Sequence, residues 1–114
     1  MLTGKCKTDF EKWYSCADVS NIDDEQIQLC MEQRFNYLSI SKKYGVYQDF
    51  FDTVDLELVV FVWRNKFVAT VYEYEKSNRI GDPIGKDKGF KTREQARIEV
   101  INKANKLYND RNNN

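Results

Sequence analysis

Between Leu56 and Tyr74 the hydrophobic period of this chain changes, and that change limits what it can fold into. Leu56 to Trp63 is almost wholly apolar and rich in β-branched and aromatic residues, and Phe67 to Tyr74 is similar, with Arg64, Asn65 and Lys66 between them. Runs of this length and composition are strands, far short of the ~20 residues that cross a bilayer. Together they predict an antiparallel hairpin, although the turn lacks the Asn-Gly pair that would announce its type. Both faces of the first strand are apolar, so it is expected to be central or covered on both sides. Lys76-Ser77-Asn78 reads as a second turn, and Arg79 to Ile84 as a third strand held at an edge, because Pro83 cannot donate to a ladder. Gly81, Gly85 and Gly89, with Asp82, Asp87 and neighbouring lysines, make 81–91 a loop.

On either side of the hairpin the apolar residues recur every three to four positions. Thr8 and Glu11 have the spacing of a capping box, and Phe10, Trp13, Tyr14 and Ala17 share a face, which predicts a helix from about Asp9 to Ala17. Cap residues and carboxylates from Ser20 to Glu25 open a second helix over 22–38, along Ile27, Cys30, Met31, Phe35 and Leu38. Ile40, Tyr44, Tyr47, Phe51 and Val54 predict a third over 40–52, weakened by Gly45. Thr92 and Gln95 form another box ahead of Ala96, Val100, Ala104 and Leu107 or Tyr108, which predicts a last helix from Arg93 to Tyr108. A chain of 114 residues supports one core. The expectation is a single α+β domain over 1–109: N-terminal helices, a small antiparallel sheet of two or three strands, and a C-terminal helix packed on the sheet. Residues 110–114 are expected to be a disordered tail.

The chain has no histidine. That removes Ser/His/Asp and Cys/His nucleophile pairs, a general base near neutral pH, and the commonest ligand of zinc, copper and non-haem iron. Cys6, Cys16 and Cys30 are odd in number and form no Cys-x-x-Cys pair, which fits reduced thiols. No apolar run of signal length follows Met1 to Lys7, so a cytoplasmic protein without a membrane anchor is expected. Carboxylates remain as catalytic stock. Asp49, Asp52 and Asp55 stand three apart, a spacing able to hold a hard cation or simply to line a polar helix edge. Asp55 with Glu73, Glu75 and Lys76 loosely resembles the acidic and lysine set of metal-dependent nucleases, or else the solvent face of a hairpin. The glycines form no phosphate-binding loop. No cofactor, no metal and no catalytic residue are expected.

Charge is balanced in sum, 18 against 18, but not along the chain. Residues 1–60 hold 6 basic and 11 acidic side chains, whereas residues 79–114 hold 9 and 5. The two ends either meet in the fold or serve an electrostatic partner. Lys86, Lys88 and Lys91 precede Arg93 at the start of the last helix, and with Arg64 and Lys66 of the turn they form a candidate nucleic-acid contact. Asp87 and Glu94 dilute that patch, and the sequence pI of about 6.3 is not that of a dedicated nucleic-acid binder. Trp63, Phe67, Tyr72 and Tyr74 offer a stacking platform for bases, an apolar patch for a protein, or core.

Two further patterns carry a resemblance. Met1-Leu-Thr-Gly-Lys with Asp9, Phe10, Glu11, Trp13 and Tyr14, then Tyr44-Gly-Val-Tyr-Gln-Asp-Phe-Phe-Asp52, resembles a group of short uncharacterised proteins of bacteroidete bacteria and their phages. Phe90 to Ala96 and Ala104 to Asn109 resemble the end of the same proteins. The resemblance implies a phage or prophage setting in a bacterial cytosol, with no activity to carry over. The hairpin followed by Phe-x-Thr-x-x-x-Ala also looks like the arm-binding domains of phage integrases, except that Tyr72, Glu73, Tyr74 and Glu75 put carboxylates where such a sheet carries cations. The sequence therefore points to a small non-enzymatic binding protein acting through an unknown protein partner or by self-association, with nucleic-acid binding as the alternative.

Overall fold

The computed structural model of the chain describes residues 1–15, 23–73, 78–79 and 89–112, for residues 78 and 79 the backbone alone. The chain forms one α+β domain. Helices α1 (Gly4–Ser15), α2 (Asp24–Cys30) and α3 (Ile40–Thr53) precede strands β1 (Leu56–Trp63), β2 (Lys66–Glu73) and β3 (Asn78–Arg79), and α4 (Arg93–Arg111) closes the fold. The sheet is antiparallel in the order β1-β2-β3, and α4 packs across β1 and β2.

The first helix begins five residues earlier than its local signals predict. Thr8 and Glu11 form no capping box. The Thr8 hydroxyl donates to the Gly4 carbonyl within the helix, and Glu11 pairs with Lys7. The cap comes from α4 instead: Asn109 Oδ1 accepts from the Cys6 N–H at 2.8 Å, and Asn109 Nδ2 donates to the Thr3 carbonyl at 2.9 Å. Asn105, itself buried, holds the Thr3 N–H and hydroxyl, each at 3.0 Å. Helix ends leave N–H groups without partners, and any correctly placed oxygen satisfies them, even one a hundred residues away.

In α2 the cap is local. Asp23 and Gln26 form a reciprocal capping box. The helix then widens into one π turn over Met31–Phe35, closed by the Asn36 N–H donating to the Met31 carbonyl, so the predicted run to residue 38 stops at 35. Ser39 caps α3, which extends one residue past its predicted end. Thr92 accepts from the Gln95 N–H at the start of α4, and α4 continues to Arg111, beyond the expected boundary at 109. Ala17 and Cys16, Tyr74 to Ser77 and the segment 80–88, with most of the predicted third strand, lie outside the described residues.

Phe10 stands at the centre of the core, its ring 4.8 Å from Tyr47, 5.2 Å from Phe35 and 5.4 Å from Phe50. Edge-to-face and tilted contacts of this kind add about 0.5–1.5 kcal/mol each beyond area burial. Leu56, Leu58, Ala69 and Val71 supply the sheet side, and Ala96, Val100, Ile101 and Ala104 the α4 side, where the alanines allow close approach. α4, from the basic back, rests on α1 and α3 of the acidic front, and Arg111 reaches Glu73 of the hairpin, at 3.5 Å, and the Val54 carbonyl. No helix is long and apolar enough to cross a membrane among the described residues.

Of the two expectations for β1, a central place is not met, while its faces are buried or half-buried as far as Phe61. β1 is an edge strand, and β2 is the central one. The apolar pattern of β1 reports how its faces are covered, whereas its place in the sheet depends on which segment pairs with β2.

Candidate functional site

The hairpin turn is a two-residue link. Arg64 and Asn65 both have positive φ, 51° and 65°, between the paired residues Trp63 and Lys66, which is the type I′ geometry that matches the twist of the strands. Asn accepts this region readily; an arginine there is unusual, and its guanidinium lies 5.5 Å from the Trp63 ring. β1 therefore delivers its last side chains, and β2 its first, to one end of the molecule.

The segment before α4 comes to the same end. Phe67 and Phe90 exchange N–H and carbonyl groups at 3.1 and 2.9 Å, an isolated bridge on the outer edge of β2. Gly89 makes that approach possible. Its φ is +68°, and a Cβ there would fall 2.2 Å from Lys66 Cβ. Two residues beyond the bridge Thr92 caps α4, and Arg93 swings back over the Phe67 ring at 5.0 Å. Beside the bridge, Gly89, Phe90, Lys91, Gln95, Ile98 and Glu99 line a shallow groove of about 470 Å³.

Of the six cations singled out in the sequence, Arg64, Lys66, Lys91 and Arg93 are thus gathered at one end and are exposed. Lys86 and Lys88 lie outside the described residues. Glu94 and Glu99, both exposed, stand among the cations. Trp63 is 51% exposed and Val62 58%, large apolar side chains left in water at the end of β1. Phe67 is half-buried and packed against the core, and Tyr72 is likewise half-buried. The aromatic set is therefore divided: Trp63 belongs to the surface and Phe67 to its boundary. No family model matches the chain, and neither curated proteins nor solved structures yield a match.

The other constellations come apart in three dimensions. Asp49 and Asp52 are exposed on α3, and Asp55 lies in the turn leading to β1 with φ 67°. Among the described residues no group of three Cys, Asp or Glu is placed to hold a metal ion. Glu73 is occupied by Arg111, while Glu75 and Lys76 lie outside the described residues. Cys6 is a buried free thiol whose pKa rises to about 12, chiefly through burial and then through the Asp9 charge, so it is not a nucleophile at neutral pH.

Sequence reasoning did not single out Val62 or the Phe67–Phe90 bridge. Val62 continues an apolar run that is buried at Leu56 and Leu58, and nothing in the run marks where cover ends. The only local sign of the bridge was Gly89, one glycine among several in that stretch.

Proposed function

We propose that this chain is a small non-enzymatic binding protein that engages a protein partner, a second copy of itself included, through the end of its β-hairpin. The observation that carries the reading is the exposure of Val62 and Trp63 at the end of an edge strand. Exposed apolar side chains beside an open edge favour association, and an aromatic flanked by arginine is the composition of interface anchors. A cytosolic, phage or prophage setting belongs to the same proposal and is supported by the sequence resemblance and by the free thiols of Cys6 and Cys30.

The test is a photo-crosslinking residue placed at Trp63 or, as a control, at Tyr37, which is 84% exposed but distant in the chain from the hairpin. In native cells, discrete adducts are expected from position 63 and not from 37. Equal labelling from both would overturn the reading, as would a turnover abolished by an Asp or Glu substitution.

A second reading is favoured by one observation, the gathering of Arg64, Lys66, Lys91 and Arg93 around two aromatic rings. Stacking rings and a tracking positive charge are what a single-stranded nucleic acid needs. Electrostatic binding is strongest in dilute salt, so a gel shift at ~50 mM salt that weakens on Lys66→Ala and Arg93→Ala would establish it, and no shift there removes it.

A further inference from the structure

Peptide groups along β1 alternate in direction. Trp63 and Lys66 close a two-residue turn as a hydrogen-bonded pair, so the odd-numbered residues of β1 bond β2 and the even-numbered ones face away from the sheet. Two contacts agree with that parity. The Leu58 carbonyl accepts from Gln48 Nε2 at 3.3 Å, and Phe67, which faces away from β1, is bonded to Phe90.

The two edges of the sheet are treated differently. The outer edge of β2 is covered toward its two ends, by Phe90 opposite Phe67 and by β3 opposite Tyr72 and Glu73. On β1 the Leu58 carbonyl is covered, and the outward groups of Val60 and Val62 have no partner among the described residues. Edge strands are usually guarded by lysine, proline or a bulge. Leu56 to Trp63 has no lysine or proline, and its register with β2 runs without interruption.

We propose that two copies of this chain join through β1, antiparallel, about a two-fold axis at Phe61. The inference rests on the binding reading above and names its partner. Outward residues pair only with outward residues; Gln48 closes the edge at Leu58, and the turn closes it at Arg64. Centring on Phe61 then sets Val60 against the second copy's Val62 and Val62 against its Val60, so that the outward groups of these two residues bond reciprocally, as a two-fold interface requires. On one face the exposed Val62 is covered by valine. On the other, Trp63 meets the second copy's Val59, and the two Phe61 rings meet on the axis.

Charge supports the same arrangement. β1 has Glu57 near its start and Arg64 and Lys66 beyond its end. Antiparallel pairing brings Glu57 toward the second copy's turn, which carries Arg64 and Lys66. The chain has no net charge, so nothing at long range opposes association.

Sedimentation and mass measurement of the full chain test this. The wild type is expected to dimerise with rising concentration; Val62→Lys, at an exposed site, is expected to weaken association at least ~10-fold, with an unchanged melting temperature at a dilution where both chains are monomeric. Phe61→Cys is expected to give a disulfide-linked dimer on mild oxidation in excess of the wild type, since opposed residues in non-hydrogen-bonded pairs have Cα atoms about 4.5 Å apart. A monomer at ~100 μM, or a dimer indifferent to both substitutions, overturns the proposal. A monomer that still yields adducts at position 63 overturns the self-pairing alone, and the absence of adducts overturns the binding reading with it.

Discussion

The Tyr108 hydroxyl donates to the Asp9 carboxylate at 2.5 Å, joining α4 to α1 across 99 positions of sequence. Lys5 holds the same carboxylate at 3.0 Å. Tyr108→Phe removes the donor and keeps the ring packed 5.9 Å from Phe50. Because Asp9 is partly exposed, the expected loss is modest, about 1 kcal/mol in urea unfolding. A double-mutant cycle with Asp9→Ala that shows no coupling would refute the contact.

Stability should fall in alkali. Burial, ahead of the nearby Asp9 charge, pushes Cys6 from 9.0 to about 12; burial first also pushes Tyr47 from 10.0 to about 12. Tyr108 is raised as well, by burial and by its bond to Asp9. Raised values mean that the fold favours the protonated forms, so this stability is complete below 9.0 and is lost as pH rises toward about 12. Asp9 runs the other way. Burial raises it, but its bonds from Tyr108 and Lys5 outweigh that and lower it below 3.8, so its contribution is present above 3.8 and disappears in stronger acid. Thermal melting across the pH range reads both limbs; a melting temperature flat from 9.0 upward would contradict the alkaline one.

Asn109 is expected to matter to α1 more than any residue at the predicted cap. Asn109→Ala removes bonds to Cys6 and Thr3 and should cost about 1 kcal/mol, whereas Thr8→Ala should change stability by no more than ~0.5 kcal/mol. Denaturant midpoints of the two variants settle the comparison, and the reverse order would mean that the cap is local.

Two glycines should respond with opposite signs. A Cβ at Gly45 meets nothing within 4 Å inside α3, so Gly45→Ala is expected to stabilise by up to ~1 kcal/mol. At Gly89 the backbone is left-handed and the Lys66 side chain is in the way, so Gly89→Ala should destabilise by more than ~1 kcal/mol and loosen the Phe67–Phe90 bridge. Amide exchange at Phe67 and Phe90 reports that loosening directly.

Thr70 is buried in the central strand, and its hydroxyl has no hydrogen-bond partner among the described residues. Thr70→Val keeps the shape and removes an unsatisfied group, with an expected gain of about 1 kcal/mol in the same unfolding measurement. A loss of that size would mean that the hydroxyl is satisfied after all.

The legible parts of this molecule were those coded by near neighbours. The hairpin, α3 and α4 follow from periodicity and caps within a few residues of each other, and the four cations of the hairpin end were visible as exposed charge. The Asn109 cap, the Phe67–Phe90 bridge and the exposure of Val62 were not, because each depends on a segment distant in sequence arriving at a particular place.

The sequence by itself determined an α+β domain with a hairpin under a C-terminal helix, because hydrophobic period and turn chemistry are local properties. Only the tertiary structure decided that α1 starts at Gly4, that β1 is an edge and that Arg64, Lys66, Lys91 and Arg93 share one end. Those outcomes rest on hydrogen-bond pairing between distant segments. A peptide group accepts any well-placed partner, so side-chain pattern reports burial of a strand's faces and leaves the partner of its edge open.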